Sequence, residues 1–80
     1  MKNIREYIKD NNFKITIKKN MIDIENYTDI GSISDNEIII YLQDKTVKIK
    51  GNKLKITKLL NNEILILGNY KNILFEGLNE

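Results

Sequence analysis

From Phe13 onward, apolar and polar residues alternate with a period of two, the pattern typical of half-buried β-strands. The alternation is clearest in residues 47–56, Val-Lys-Ile-Lys-Gly-Asn-Lys-Leu-Lys-Ile. Gly51-Asn52 in the middle of this stretch predicts a two-residue hairpin turn, since such turns need positive φ angles. The predicted hairpin places Ile49 opposite Leu54, so that apolar residues share one face and lysines share the other.

Similar patterns predict hairpins on both sides of this one. A turn at Lys19-Asn20 places Ile17 opposite Ile22 and Lys14 opposite Glu25. The Lys14–Glu25 pair has opposite charges and therefore favours this register.

The following hairpin turns at Asp44-Lys45 and places Leu42 opposite Val47 and Ile40 opposite Ile49. Further turns are predicted at Asn61-Asn62 and Gly68-Asn69. Because simple two-residue loops do not keep the alternation in phase past Ile56, we expect a β-bulge near Thr57-Lys58.

The fold predicted from these elements is all-β. It is an antiparallel meander of six to seven short strands that forms a small sandwich or an open barrel over residues 13–76. Residues 1–12, with Ile4, Tyr7 and Ile8 at helical spacing, predict a short N-terminal helix or a frayed arm. We expect the 80 residues to form one domain.

One strand stands apart because it is apolar on both faces. Residues 63–67 read Glu-Ile-Leu-Ile-Leu, and a strand of this kind needs cover on both sides. Ordinary burial in the core is one interpretation. The other is an interaction strand for a partner, formed by Ile64, Leu65, Ile66 and Leu67.

Composition narrows the possible chemistry. The chain has no cysteine and no histidine, which excludes disulfides, thiolate metal sites and the usual general base at neutral pH. Its four glycines are widely separated, so there is no glycine-rich phosphate loop. We expect no enzymatic activity, no metal and no cofactor. We expect a soluble protein of the cytoplasm, since no apolar run is long enough for a transmembrane helix.

Charge suggests one candidate binding surface. The predicted hairpin gathers Lys48, Lys50, Lys53 and Lys55 on its outer face, with Tyr41 on the adjoining strand. Lysines beside an aromatic ring on a small sheet are typical of single-strand nucleic-acid platforms. Isoleucine, lysine and asparagine make up half of the chain, however, with 16, 12 and 12 residues. Since their codons are rich in A and T, base composition alone can account for the lysines.

The order of these pieces resembles the YabP/YqfC family of small sporulation proteins from endospore-forming Firmicutes. The resemblance runs from about Phe13 to Phe75 and rests on four segments. These are Ile15-Thr16-Ile17 leading to Asp23-Ile24-Glu25-Asn26-Tyr27, then Ile33-Ser34-Asp35-Asn36-Glu37-Ile38, Val47-Lys48-Ile49-Lys50-Gly51-Asn52-Lys53-Leu54, and Glu63-Ile64-Leu65-Ile66-Leu67-Gly68.

The resemblance implies a non-enzymatic protein of the mother cell, linked to assembly of the spore coat or cortex. It implies no catalytic or ligand-binding residues. We therefore expect a structural protein that acts through contacts with a protein partner or with itself. The alternative is a small β-domain that binds nucleic acid or another anionic polymer through the lysine face. Peripheral membrane contact through the N-terminal segment is also open, with Lys2, Arg5 and Lys9 on its polar side.

Overall fold

A computed structural model describes residues 13–77 of the chain, and the predicted N-terminal helix lies outside them. The described residues form six strands: β1 (Lys14–Lys18), β2 (Met21–Glu25), β3 (Asp29–Ile33), β4 (Glu37–Tyr41), β5 (Lys45–Leu59) and β6 (Glu63–Gly77). The predicted all-β class is confirmed.

All six strands belong to one open antiparallel sheet with the order β1-β2-β6-β5-β4-β3. Strands that follow each other in the chain are paired, as in a meander, except β2 and β3. β2 pairs instead with the first part of β6, which places the β1–β2 hairpin at the far side of the sheet.

β5 and β6 are long because each crosses from one half of the sheet to the other. Residues 55–59 of β5 and 63–67 of β6 join β1 and β2 in what we call the first layer. Residues 45–50 of β5 and 72–77 of β6 join β3 and β4 in the second layer. Register shifts in the β5–β6 ladder between residues 50 and 55 mark the bend between the layers. Bulges are the usual device by which strands turn such corners.

The bend brings the far ends of the two layers together. The Asn26 N–H donates to Asn62 O in the first layer (2.6 Å), and two residues later the Thr28 N–H donates to Tyr41 O in the second (2.8 Å). At the bend, the Tyr70 hydroxyl donates to Lys18 O at 3.0 Å. The two halves of the sheet therefore enclose a common interior.

Isoleucine dominates that interior. Side chains from both layers form one apolar cluster with relative exposures between 0% and 4%, in agreement with their alternation along each strand. Its members are Ile22, Ile24, Ile38, Ile40, Leu42, Val47, Ile49, Leu54, Ile64 and Ile66.

The predicted turns at Gly51-Asn52 and Gly68-Asn69 are wrong, and so is the expectation of short strands throughout. Both dipeptides lie inside long strands, where Gly51 pairs with Tyr70 and Asn52 with Asn69. At the bend, the glycines instead allow the backbones of β5 and β6 to approach each other closely. A Cβ on Gly51 would collide with the backbone oxygen of Asn69 and lie 2.6 Å from Tyr70 Cα.

The hairpins on either side were predicted more accurately. The register of β1 on β2 is confirmed, including Ile17 opposite Ile22 and Lys14 opposite Glu25. A register shift between Ile56 and Lys58 confirms the predicted bulge.

The β4–β5 turn is displaced by one residue from its predicted position. The Leu42 N–H donates to Lys45 O (2.8 Å), so the loop is Gln43-Asp44 and Ile40 pairs with Val47. The predicted pairing was therefore wrong by two residues. A shift of two residues keeps every side chain on its face, which is why the inner face was still right.

Candidate functional site

The predicted lysine face is divided by the bend. Lys48 and Lys50 lie on the outer side of the second layer, whereas Lys55 pairs with Leu67 in the first layer and Lys53 lies at the bend itself. The prediction that a hairpin gathers the four lysines is therefore wrong, because all four residues belong to one strand.

The two lysines of the second layer also have acidic neighbours. Lys48 Nζ lies 4.0 Å from Glu76 Oε2, and Lys50 Nζ lies 4.0 Å from Glu37 Oε2. Tyr41 lies on the same face and is exposed. The charge of this face is therefore largely balanced, and its lysines have partners already.

The four residues of the predicted interaction strand, 64–67, alternate between the two faces of the sheet. Ile64 and Ile66 are buried in the core, with exposures of 0% and 1%. Leu65 and Leu67 point to the outer side of the first layer, where Leu67 is exposed. Only these two members can meet a partner without unfolding the sheet.

A depression lies on the outer side of the first layer, where the strands reach the bend. It has a volume of about 740 Å³, and we call it the bend depression. It is lined by Lys19, Asn20, Met21, Lys53, Leu67, Gly68 and Asn69.

Unusual backbone conformations build the bend depression. Asn20 and Lys53 have φ angles of 60° and 54°, and Gly68 has a φ of 143°. The Gly68 N–H donates to Asn20 O at 3.1 Å, which fixes the β1–β2 turn against β6. The left-handed region is costly for lysine, which has no local side-chain hydrogen bond to offset the strain.

The charge around the bend depression is of one sign. One continuous rung crosses β1, β2, β6 and β5 and consists of Lys18, Met21, Leu67 and Lys55. The two apolar residues lie in the middle of the rung, and a lysine lies at each end of it. Lys19 and Lys53 line the depression itself. None of these four lysines forms a salt bridge within the described residues.

At the other end of the same face lies an acidic cluster, which we define as Asp23, Glu25 and Glu63. One oxygen atom from each carboxylate lies within 4.8 Å of the others. Glu25 is directly opposite Glu63 in the β2–β6 ladder, an unfavourable pair when both are charged. Lys14 and Lys58 neighbour the cluster from β1 and β5.

This crowding holds the pKa of Glu63 above its ordinary value. The largest cause is a side-chain hydrogen bond with Asp23, followed by partial burial and by repulsion from Asp23 and Glu25, while Lys58 opposes the shift. Sequence reasoning found the Lys14–Glu25 pair but missed this cluster, since the pairing of β2 with β6 was not predicted.

The last feature of the surface is a strand edge that is left uncovered by the strands of the described part of the chain. β2 pairs with residues 63–67 of β6 only, so no described strand covers the outer edge of residues 70–77. We call this segment the β6 edge. Leu74 and Phe75 on it are 47% and 48% exposed, and Ile73 is partly buried. Long apolar edges of this kind are sites for pairing with another strand.

Comparison with models of protein families gives a match. The model of the YabP family matches residues 9–79, almost the whole chain. Neither the curated proteins nor the solved structures contain a match. No helix among residues 13–77 is long and apolar enough to cross a membrane. On the extent of the family match, the chain belongs to the YabP family.

Proposed function

We propose that this protein is a non-enzymatic assembly protein of spore formation, which acts in coat or cortex assembly through contacts made by its β6 edge. Membership of the YabP family suggests a sporulation-related protein. The observation that carries the mode of action is the uncovered β6 edge, with Leu74 and Phe75 about half exposed. The partner that this edge fits is a second copy of the chain.

The hydrogen-bonding capacity of the edge follows from the turn between β4 and β5. Leu42 and Lys45 form a hydrogen-bonded pair there, and such pairs recur at every second residue of an antiparallel ladder. Lys48 therefore directs its backbone groups away from β4 and towards Leu74 on β6. The residues on either side of Leu74 then direct their N–H and C=O groups outward, where another strand can bind them.

The side chains of the edge complement a second copy in one register. A two-fold axis perpendicular to the sheet at Leu74 places Leu74 opposite its own copy and Ile73 opposite Phe75. On the outer face, Asn72 lies opposite Glu76, where an amide can donate to a carboxylate. Apolar residues face apolar residues in the three central rungs, which is the arrangement that stabilises a sheet.

Neighbouring registers are less favourable. With the axis at Ile73, Lys71 lies opposite Phe75 and Asn72 opposite Leu74. With the axis at Phe75, Leu74 lies opposite Glu76. Both place polar groups against apolar ones, so the axis at Leu74 is the favoured symmetric solution.

The test is the mass of the protein in solution. Sedimentation equilibrium of the full chain is expected to give a dimer, and Leu74→Lys is expected to give a monomer because two ammonium groups would meet at the axis. Ile33→Lys is the matched control, since Ile33 is 54% exposed at the other edge of the second layer. This control is expected to remain a dimer.

Two results would contradict the proposed mode of action. One is a wild-type chain that stays monomeric at high concentration, and the other is an equal loss of dimer in both variants. The link to spore formation is tested by deleting the gene from a spore-forming host. Wild-type chain and Ile33→Lys are expected to restore lysozyme-resistant spores, and Leu74→Lys is not.

A further inference from the structure

We propose that the bend depression is a docking site for the surface of a membrane that contains anionic phospholipid. The inference is independent of the β6 edge, because it concerns the opposite layer and a different kind of partner. Its basis is a partly exposed apolar floor, formed by Met21 and Leu67, with lysines around it.

The charge of the site fits phosphate headgroups. Lys19 and Lys53 line the bend depression, and Lys18 and Lys55 end the rung that crosses it. Each of the four side chains is exposed and can extend its ammonium group away from the sheet. No carboxylate among residues 13–77 lines the depression.

The floor of the site fits the upper part of acyl chains. Met21 and Leu67 occupy neighbouring positions of the rung, and Leu67 is 37% exposed. Lysines with apolar stems beside exposed aliphatic side chains are typical of surfaces that lie in the membrane interface. A nucleic acid would favour aromatic side chains on which bases stack, and none of the described residues that line the depression is aromatic.

Lys53 gives the site a feature that a merely solvent-facing lysine would lack. It keeps a positive φ of 54°, a conformation that glycine or asparagine adopts at much lower cost. Lys53 thus holds a less favourable backbone conformation than glycine would, as strained residues at functional sites do. Lys53→Gly therefore removes the ammonium group while relieving the backbone.

The experiment is cosedimentation of the full chain with vesicles at low and at moderate salt. Vesicles of phosphatidylcholine with phosphatidylglycerol are expected to bind the chain, and vesicles of phosphatidylcholine alone are not. Lys53→Gly and Lys19→Gln are each expected to weaken binding about fivefold, the contribution of one lysine near an anionic surface. Lys14→Gln removes the same charge at the acidic end of the same face and is expected to change binding less than about twofold.

Leu67→Gln separates a lipid from other polyanions. It keeps the charge and is expected to weaken binding to the anionic vesicles several-fold, because the apolar contact is lost. Chemical denaturation is expected to show Lys53→Gly at least as stable as the wild type, so that lost binding is not lost folding.

Several outcomes would overturn the inference. Equal binding to both kinds of vesicle would do so, and so would a loss in Lys14→Gln as large as that in Lys53→Gly. Unchanged binding of Leu67→Gln would indicate a purely electrostatic patch. Tight binding of a labelled oligonucleotide that Lys53→Gly abolishes, without binding to vesicles, would assign the site to nucleic acid.

Discussion

At the scale of single residues, the stability of the bend depends more on backbone conformation than on side-chain chemistry. Gly68 lies at the centre of the bend with a φ of 143°, and a Cβ there would lie 2.6 Å from Lys53 O and 2.7 Å from Leu54 Cα. Both neighbours are backbone atoms of the facing strand, which cannot move without opening the β5–β6 ladder. Gly77, in contrast, has no atom within 4 Å of the same position.

Gly68→Ala is therefore expected to lower the free energy of unfolding by about 2–3 kcal/mol through strain and collision. Gly77→Ala is the matched control and is expected to change it by less than about 0.5 kcal/mol. Urea denaturation of both variants measures the difference. A small effect of Gly68→Ala would show that the bend adjusts more freely than its contacts indicate.

The acidic cluster makes the stability of the fold depend on pH through Glu63. The pKa of Glu63 is higher in the folded state than in the unfolded state, so protonation of Glu63 stabilises the fold. This stabilisation is lost as the pH rises through the folded-state pKa of Glu63. Glu63→Gln is expected to be more stable than the wild type at neutral pH and to lose that advantage under mildly acidic conditions.

Urea midpoints at the two pH values check this expectation. Glu63 faces Asp23 and Glu25 from β2, and Lys58 from β5 acts in the opposite sense. If Glu63→Gln were destabilised at neutral pH, the group would be stabilising as a carboxylate, and attraction to Lys58 would outweigh the repulsion within the acidic cluster.

At the scale of elements, the sequence predicted which residues of each strand face the core, but it did not predict how long the strands are. A hairpin at Gly51-Asn52 and a bulged strand both place Ile49 and Leu54 inside, so the alternation has the same phase in either case. What separates them is the partner: Gly51 pairs with Tyr70, nineteen positions along the chain, and local pattern carries no information about that distance. The β1–β2 register was predictable because its turn and its charged pair are local.

For the candidate surfaces too, local pattern predicted the features that lie within one strand and missed those that depend on distant pairing. The separation of Lys48 from Lys55 and the meeting of Asp23 with Glu63 both depend on the bend and on the pairing of β2 with β6. The core positions within each strand, such as Ile38 and Ile40, follow from periodicity alone.

One contact between the bend and the β1–β2 hairpin can be tested directly. Tyr70→Phe removes the hydroxyl that donates to Lys18 O and is expected to cost about 1 kcal/mol of stability. Tyr41→Phe is the control, because its hydroxyl makes no hydrogen bond within the described residues and its removal is expected to be neutral. Thermal or urea denaturation of the two variants gives the comparison. Equal effects would show that the Tyr70 bond does not stabilise the fold.

At the scale of the whole molecule, the two proposed surfaces occupy different layers. The β6 edge belongs to the second layer and the bend depression to the first, so a dimer formed through the edge leaves the lysines of the bend free. Two copies would present two such sites. Weak binding at each site then becomes stronger binding of the pair when both reach one surface.

Dimer formation is also expected to make stability depend on concentration. Because only the folded chain can pair, the midpoint of thermal unfolding is expected to rise with protein concentration in the wild type. The midpoint of Leu74→Lys is expected to stay constant over the same range. Calorimetric scans at several concentrations check both. A constant midpoint for the wild type would contradict dimerisation through the β6 edge.

The pairing of β2 with β6 has a consequence for synthesis on the ribosome. Ile22 and Ile24 lie opposite Ile66 and Ile64, so the first hairpin cannot join the sheet until the last strand has emerged. Contacts between such distant segments form slowly, and apolar strands that await their partners are exposed to aggregation. The short, lysine-containing β1 lies at the outer edge of that waiting hairpin, where charge discourages premature pairing. Completion of the first layer therefore waits for the synthesis of β6.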